Sequence, residues 1–312
     1  MVRLAVTLGD PAGVGPEVAE KACAALLREV PIVELVLVGP AGMADGIAKG
    51  LGTRAKAETQ TAFGGRLGEP SAESGRAALH ALLRAIELAR HHAVDGLVTA
   101  PLSKEALALA GSEDRGHTEI LSRELGVGPT AMAFFSDQLR VALVTTHEPL
   151  RRALQHITTA RVVEVAALLH RGLVELLGLS TPRLALAALN PHAGEAGLLG
   201  DEERRVLTPA VDEAQARGID LDGPFPADTV FYRALQHDFD GVVSLYHDQA
   251  LIPVKLLSFG QAVNVTLGLS VPRTSPDHGT AYDKVGKGTA RADGMLAALR
   301  TAVHLVHARR RR

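Results

Sequence analysis

The 312-residue chain predicts an α/β fold, with helices on the faces of a β-sheet. Short apolar runs rich in β-branched residues alternate almost throughout with longer stretches rich in Ala, Leu, Glu and Arg. This alternation is typical of strands and helices that take turns along a chain. Hydrophobic residues make up 46% of the sequence, so the chain can bury a substantial core.

The strands are predicted from short apolar runs and the helices from longer helix-forming stretches. The predicted strands are Leu4–Leu8, Ile32–Val38, Gly96–Thr99, Ala131–Phe135, Val141–Thr145, Arg183–Ala188, Gly241–Leu245 and Ala262–Leu267. The predicted helices are Gly15–Glu29, Ser74–His92, Lys104–Ala110, Glu119–Leu125, Pro149–Gln155, Ala160–Leu177, Glu202–Arg217 and Ala290–Arg310. Ser71 or Thr159 can cap the helix that follows it. The polar, glycine-bearing segment Lys49–Pro70 is expected to be a variable surface excursion and not a domain boundary.

Composition excludes several functional classes. No stretch approaches the roughly 18 consecutive apolar residues of a membrane span. The formal charge of −2 and the absence of Trp argue against a nucleic-acid-binding surface. The single cysteine, Cys23, rules out an intrachain disulfide and is expected to be a packed, unreactive side chain. The start of the chain lacks a secretory signal pattern, so we expect a cytoplasmic protein.

Three histidines give the strongest functional signal, because each lies in a polar, turn-like segment directly after an apolar run. They are His147 in TTHEPL, His192 in NPHAGE and His247 in YHDQ. Side chains just past strand ends are where open α/β sheets place ligands. Neutral imidazole is the commonest metal ligand, and three of them leave a coordination position open for substrate. Although the three lie far apart in the sequence, their settings predict a catalytic metal site.

Other motifs are less specific. The opening GDPAGVGPE lacks the spacing of a Rossmann or P-loop glycine motif. His117 and Thr118 precede a helix, where Thr118 can act as a cap or both can contact an anionic substrate. Lys255, Asn264 and Arg273 punctuate apolar segments after His247, and together they would suit a phosphate group. Scattered surface charges are the alternative for these three.

Eight segments, taken in order, resemble the 4-hydroxythreonine-4-phosphate dehydrogenase family of pyridoxal phosphate biosynthesis. The segments are GDPAGVGPE, VTAPLSKEAL, GHTEIL, LRVALVTTHEPL, ALNPHAGE, GPFPADTVF, YHDQALIPVK and NVTLGLSVPRTSPDHGTAYD. The resemblance implies a fold like that of isocitrate and isopropylmalate dehydrogenases, with two intertwined α/β/α subdomains around a mixed sheet and no Rossmann domain. We expect one subdomain from about residues 1–130 plus 255–312, the other from 131–254, and a cleft between them.

The resemblance also implies roles for individual residues. The implied metal ligands are His147, His192 and His247, with one supplied by the partner subunit of a homodimer whose active sites lie at the interface. The implied substrate contacts are His117, Thr118, Lys255, Asn264 and Arg273. The segment from Asp277 to Gly288, with Asp277, His278 and Gly279, is similar to the loop that holds the adenosine part of NAD or NADP. Lys255 or Asp248 is the candidate proton shuttle.

The implied activity is an oxidation followed by a decarboxylation. The substrate 4-phosphooxy-L-threonine is oxidised by NAD or NADP to 2-amino-3-oxo-4-phosphooxybutanoate, which loses carbon dioxide to give 3-amino-2-oxopropyl phosphate. One divalent metal per site would assist; we expect zinc first, with cobalt or magnesium as alternatives. A dehydrogenase of D-threonate or D-erythronate 4-phosphate on the same framework is the main alternative. A phosphate acyltransferase and a non-catalytic metabolite-binding protein are more remote ones.

Overall fold

A computed structural model describes residues 1–114 and 116–311, and it confirms the predicted α/β class. The strands are β1 (Val2–Thr7), β2 (Val33–Pro40), β3 (Ala55–Gln60), β4 (Gly96–Thr99), β5 (Gly126–Phe135), β6 (Arg140–Leu143), β7 (Leu184–Ala187), β8 (Leu221–Phe225), β9 (Gly241–Ser244), β10 (Val263–Leu269) and β11 (Arg273–Pro276). The helices are α1 (Gly15–Glu29), α2 (Met43–Leu51), α3 (Ala72–Arg90), α4 (Lys104–Leu109), α5 (His117–Leu125), α6 (Leu150–His156), α7 (Thr159–Leu177), α8 (Thr208–Ala216), α9 (Ala227–Leu235), α10 (His247–Ser258) and α11 (Asp293–Arg310). Short 3₁₀ turns cover Pro191–Gly197 and Tyr282–Lys284, and a π-helical turn covers Glu203–Leu207.

The chain forms two compact units. The terminal unit consists of Met1–Gly128 and Leu269–Arg312, and the inserted unit consists of Pro129–Gly268. The second boundary therefore lies further along the chain than the residue 255 that the sequence suggests. Two features account for this difference: α10 continues unbroken to Ser258, and β10 follows it as the neighbour of β5 in strand order.

The terminal unit is built on parallel strands. Its strand order is β3-β2-β1-β4-β11, and β1 pairs in parallel with both β2 and β4. Its core combines sheet and helix residues such as Ala5, Leu82, Ile86, Leu97 and Ile120. Strand β4 is buried along its whole length, as expected for a parallel strand covered on both faces.

The inserted unit contains a mixed sheet. Its strand order is β10-β5-β6-β9-β7-β8. Strands β5 and β6 are antiparallel, whereas β6, β9, β7 and β8 are successively parallel. The strands β6, β7 and β9 are almost entirely buried, and their apolar side chains pack with Phe231, Leu251 and Val254 from the helices. Three adjacent parallel strands therefore end at one edge of this sheet.

The structure gives the detail of three local sequence expectations, and one of them, the cap at Thr159, is wrong. The segment Lys49–Pro70, expected to be a surface excursion, contains the end of α2 and the polar edge strand β3. The cap of α7 is Thr158, whose side chain accepts a hydrogen bond from the Arg161 amide, whereas Thr159 is already helical. The cap at Ser71 is confirmed by its bond from the Ser74 amide.

None of the described helices is long and apolar enough to cross a bilayer.

Cys23 gives a direct test of the packing of α1. The side chain is fully buried, with 0% exposure, and burial raises the pKa of the thiol to about 12. Because the thiolate is the reactive form, we expect no reaction of the native protein with Ellman's reagent at neutral pH. Unfolding in guanidinium should release one equivalent per chain. Rapid labelling before denaturation would contradict this packing.

Candidate functional site

The three predicted histidines follow three neighbouring strands of the inserted unit. His147 comes after β6, His247 after β9 and His192 after β7, and the strand order of this region is β6-β9-β7. Both pairings are parallel, so the carboxyl ends of the strands share one edge. This is the edge at which open α/β sheets place ligands.

His147 and His247 lie side by side. Beyond β6 and β9, the amide and hydroxyl of Thr145 both donate hydrogen bonds to the Leu245 carbonyl, at 3.2 and 2.7 Å. Each histidine lies two residues further on, and their ring centres are 5.2 Å apart with the ring planes tilted by 45°. A cavity of about 390 Å³ is lined by both rings together with Glu148, Tyr246 and Asp248.

The His247 ring is oriented by its neighbour. Its Nδ1 lies 2.6 Å from the Asp248 carboxylate, which leaves Nε2 as the nitrogen available for another partner. A carboxylate on one imidazole nitrogen is the usual device that orients a metal-binding histidine. The candidate proton shuttle Asp248 is therefore engaged with a predicted metal ligand.

The spacing of the two rings fits a shared divalent cation. An imidazole nitrogen bound at about 2.0–2.1 Å places its ring centre about 3.2 Å from the metal, so two rings on one tetrahedral ion lie about 5 Å apart. The observed separation of 5.2 Å agrees. The nitrogen donors present are those that zinc and cobalt accept.

His192 does not join this pair within one chain. Its side chain is exposed on the turn Pro191–Gly197. Across residues 1–114 and 116–311, no three His, Cys, Asp or Glu side chains are grouped closely enough to hold a metal ion. The structure thus brings together two of the three predicted ligands, and the complete metal site stays a prediction.

A second polar cluster lies in the terminal unit, around Arg273 of β11. The guanidinium is only 2% exposed, and its Nη2 donates to Thr99 Oγ1 at 2.6 Å. Burial lowers the pKa of Arg273 to about 9, which still leaves it charged at neutral pH. His117, the first residue of α5, is half-buried. Burial, and then the charge of Arg273, hold its pKa well below 6.5. At neutral pH the cluster therefore contains the charged guanidinium of Arg273 and the neutral imidazole of His117.

The remaining predicted substrate contacts have distinct settings. Thr118 is in the first turn of α5, but the cap of that helix is Gly116, with no side-chain bond; the capping alternative for Thr118 is therefore wrong. Lys255 is exposed on α10. Asn264 of β10 has a buried Oδ1 without a hydrogen-bond partner among the described residues. Arg273 belongs to the terminal unit, and Lys255 and Asn264 belong to the inserted one.

The segment Asp277–Gly288 follows β11 and is anchored to the start of the chain. The Tyr282 hydroxyl donates to Asp10 Oδ2 at 2.7 Å. Asp10, with 0% exposure, also accepts bonds from the Ala12 amide and the Ser74 hydroxyl. Burial raises the pKa of Tyr282, so the hydroxyl stays protonated and keeps donating.

The proposed cofactor residues lie at the start of this segment. Asp277 and His278 are half-buried and Gly279 is exposed, and His278 Nδ1 is 3.0 Å from the Gly279 carbonyl. Sequence reasoning missed the roles of Asp10 and Tyr282. A charged residue between a buried strand and a Gly/Pro turn, as in LGDPAG, was the available signal.

The fold is that of the isocitrate dehydrogenase class. The crystal structure of isocitrate dehydrogenase from Methylococcus capsulatus superposes with a TM-score of 0.51 at 15% identity, covering 100% of this chain and 88% of that one. The predicted fold class is therefore confirmed.

Within that class, the chain belongs to the family described as pyridoxal phosphate biosynthetic protein PdxA, whose model matches residues 18–302. It is 44% identical to a 4-hydroxythreonine-4-phosphate dehydrogenase from Beijerinckia indica, over 97% of this chain and 94% of that protein. It is 42% identical to a D-threonate 4-phosphate dehydrogenase from Salmonella typhimurium, over 97% and 98%. A crystal structure of 4-hydroxythreonine-4-phosphate dehydrogenase from Klebsiella pneumoniae gives a TM-score of 0.86 at 38% identity, covering 98% of this chain and 100% of that one. The predicted family is confirmed.

The neutral state of His117 predicts a pH-dependent stability. The unfolded imidazole binds a proton near its ordinary pKa of 6.5, whereas the folded one does so only at lower pH. Below about pH 6.5 the unfolded state therefore holds more protons than the folded state. The free energy of unfolding decreases as the pH is lowered through this range. We expect urea denaturation to show a shallower fall between about pH 7 and 5 for His117→Gln. His80→Gln, an exposed histidine of α3, is the control, and parallel wild-type and His117→Gln curves would refute the assignment.

Proposed function

We propose that this protein is a metal-dependent, NAD- or NADP-linked dehydrogenase of 4-phosphooxy-L-threonine. The observation that carries the proposal is the near-full-length relationship to a 4-hydroxythreonine-4-phosphate dehydrogenase, at 44% identity over 97% of the chain. The side chains suit the chemistry, because an imidazole pair and a buried guanidinium serve a metal-binding, anionic substrate.

The proposed reaction has two steps. The substrate's secondary alcohol loses a hydride to the nicotinamide ring and a proton to a base, which gives 2-amino-3-oxo-4-phosphooxybutanoate. The carbon–carbon bond to the carboxylate then breaks, carbon dioxide leaves, and protonation of the remaining carbon gives 3-amino-2-oxopropyl phosphate. A divalent cation supplies Lewis-acid polarisation of the substrate oxygen.

In this scheme His147, His192 and His247 hold the cation, and Asp248 orients His247. Arg273, Lys255, Asn264, His117 and Thr118 bind the anionic groups of the substrate. Arg273 offers a charged fork fixed by burial and by Thr99, which favours recognition of phosphate or carboxylate. Because the Asp248 carboxylate is engaged with His247, the exposed Lys255 amine is the better candidate for the proton shuttle.

The nicotinamide cofactor is proposed to bind at Asp277, His278 and Gly279. The anchoring of the following residues supports this, since Tyr282 is bonded to buried Asp10 and Lys21 donates to the Gly288 carbonyl at 3.0 Å. A loop anchored at its middle and at its end has less freedom to lose on binding a ligand. A cytoplasmic location is part of the proposal, because the reaction consumes a nicotinamide cofactor and a phosphorylated metabolite.

A homodimer is also part of the proposal. Helix α10 begins at His247 and carries Ile252 and Leu256 four residues apart, with Phe259 at its end. These side chains are 60%, 82% and 80% exposed. A solvent-facing apolar stripe marks an association surface, and a second copy on it would supply the third ligand near His247.

D-threonate 4-phosphate is the second candidate substrate, because a dehydrogenase named for it is nearly as similar, at 42% identity. The two substrates differ at one carbon, which carries an amino group in one and a hydroxyl in the other. Purified protein should be given each phosphate with NAD or NADP, with and without a chelator, while reduced nicotinamide is followed by absorbance.

We expect turnover of 4-phosphooxy-L-threonine that chelation abolishes and zinc or cobalt restores. Turnover of D-threonate 4-phosphate alone would move the assignment to the second substrate. Failure to reduce either cofactor with either phosphate would refute the dehydrogenase.

The metal site is tested by His192→Ala. We expect bound zinc and turnover both to fall by more than about a hundredfold, since loss of a ligand should exceed the usual effect of a supporting residue. Metal content by atomic emission and initial rates give the two measurements. His80→Ala is the matched control on α3, and full activity in His192→Ala would exclude the three-histidine site.

A further inference from the structure

The turn that presents His192 has an unusual backbone. Six consecutive residues have positive φ angles: His192 (53°), Ala193 (54°), Gly194 (79°), Glu195 (42°), Ala196 (55°) and Gly197 (100°). Left-handed backbone is unfavourable for every residue with a Cβ atom, so it is rarely found in runs. Conformations of this kind persist only where surrounding groups enforce them, and they cluster at functional sites.

Glu203 is one of the enforcing groups. Its side chain is only 6% exposed. Its Oε1 accepts the amides of Leu189 and Asn190 at 2.9 and 2.7 Å, and its Oε2 accepts the Asn190 side-chain amide at 2.9 Å. A Cβ on Gly194 would lie 2.8 Å from this carboxylate, so the turn wraps closely around it.

Gln249 is the other enforcing group, and it is 7% exposed. Its Oε1 accepts the Leu245 amide and its Nε2 donates to the Ala188 carbonyl, both at 2.7 Å. These two backbone groups lie just past the ends of β9 and β7. The Gln249 carboxamide therefore takes the place of a backbone hydrogen bond between β9 and β7, at the point where the two strands separate. It fixes the start of the His192 turn relative to the start of α10.

Stability alone is a weak reason for these two side chains. Glu203 takes part in no ion pair among the described residues, and a buried carboxylate without a cation is costly to desolvate. Its described bonds go to the backbone amides of Leu189 and Asn190 and to the Asn190 side chain, in the segment that leads into the His192 turn. We propose that Glu203 and Gln249 are positioning residues, which fix the place of His192 and thereby the affinity for the divalent cation. This inference rests on the metal site of the proposed function.

The test compares zinc affinity in metal-depleted proteins, measured by competition with a chromophoric chelator. Glu203→Gln keeps the volume but puts an N–H group where an acceptor oxygen was, and Gln249→Met removes both bonds. We expect zinc affinity to fall about 10- to 100-fold in each, the usual effect of a residue that supports a ligand. Cooperative urea unfolding of both variants would show that they fold.

Gln215→Met is the matched control. Gln215 Nε2 also donates to a strand carbonyl, that of Leu221, at 2.9 Å, but Leu221 pairs with Leu184 at the far end of β7. This variant should keep wild-type zinc affinity. If Glu203 and Gln249 act through His192, neither substitution should weaken binding further in a His192→Ala background.

The possible failures are separable. Wild-type zinc affinity in folded Glu203→Gln and Gln249→Met, an equal loss in Gln215→Met, or additive losses with His192→Ala would each overturn the positioning role while leaving the metal site intact. Failure of the wild-type protein to bind zinc would instead overturn the metal site of the proposed function, and the positioning role with it.

Discussion

The backbone of Leu245 is the constraint on which the histidine site depends. Its carbonyl accepts both hydrogen bonds from Thr145, and its amide donates to Gln249, which in turn reaches Ala188. The ends of β6, β9 and β7 are thereby tied together at the point where a regular ladder would stop. The close approach of His147 and His247 follows from this, because each lies two residues past a fixed pair.

The terminal unit holds buried polar side chains in fixed positions within an apolar core. Arg273 keeps its charge at neutral pH although burial lowers its pKa, whereas burial and the charge of Arg273 lower the pKa of His117 and keep it neutral. The Asp10 carboxylate accepts hydrogen bonds from a backbone amide and two hydroxyls. Such satisfied networks hold a unique geometry, whereas a partly satisfied one would be destabilising. Preformed polar groups of this kind favour binding because little reorganisation remains.

The sequence predicted the buried parallel strands well, because strands covered on both faces are continuous apolar runs. It also predicted the family and the class of fold, from ordered motifs. It missed β3, whose residues alternate between charged and small side chains, because the pairing that makes it a strand is supplied by β2. It also missed α10, since Pro253 lies inside the helix and proline normally ends one.

For the site, the sequence found the residue types but not their arrangement. The settings of His147 and His247 after apolar runs were informative, because the strands they follow are neighbours. The roles of Glu203 and Gln249 depend on distant contacts, because Glu203 bonds Leu189 and Asn190 and Gln249 bonds Ala188. Likewise, the contact of Asp10 with Tyr282 joins opposite ends of the chain. Long-range pairs of this kind are set by topology, which one sequence does not display.

The exposed apolar stripe has a thermodynamic consequence. The apolar stripe, Gln249 and His247 all belong to α10. One helix therefore connects the proposed association surface to the histidine pair. If a second chain covers the stripe and completes the metal site, self-association and metal binding are linked equilibria, each strengthening the other by the same factor. Metal affinity then has no single value, because dilution of the protein alone would release the ion.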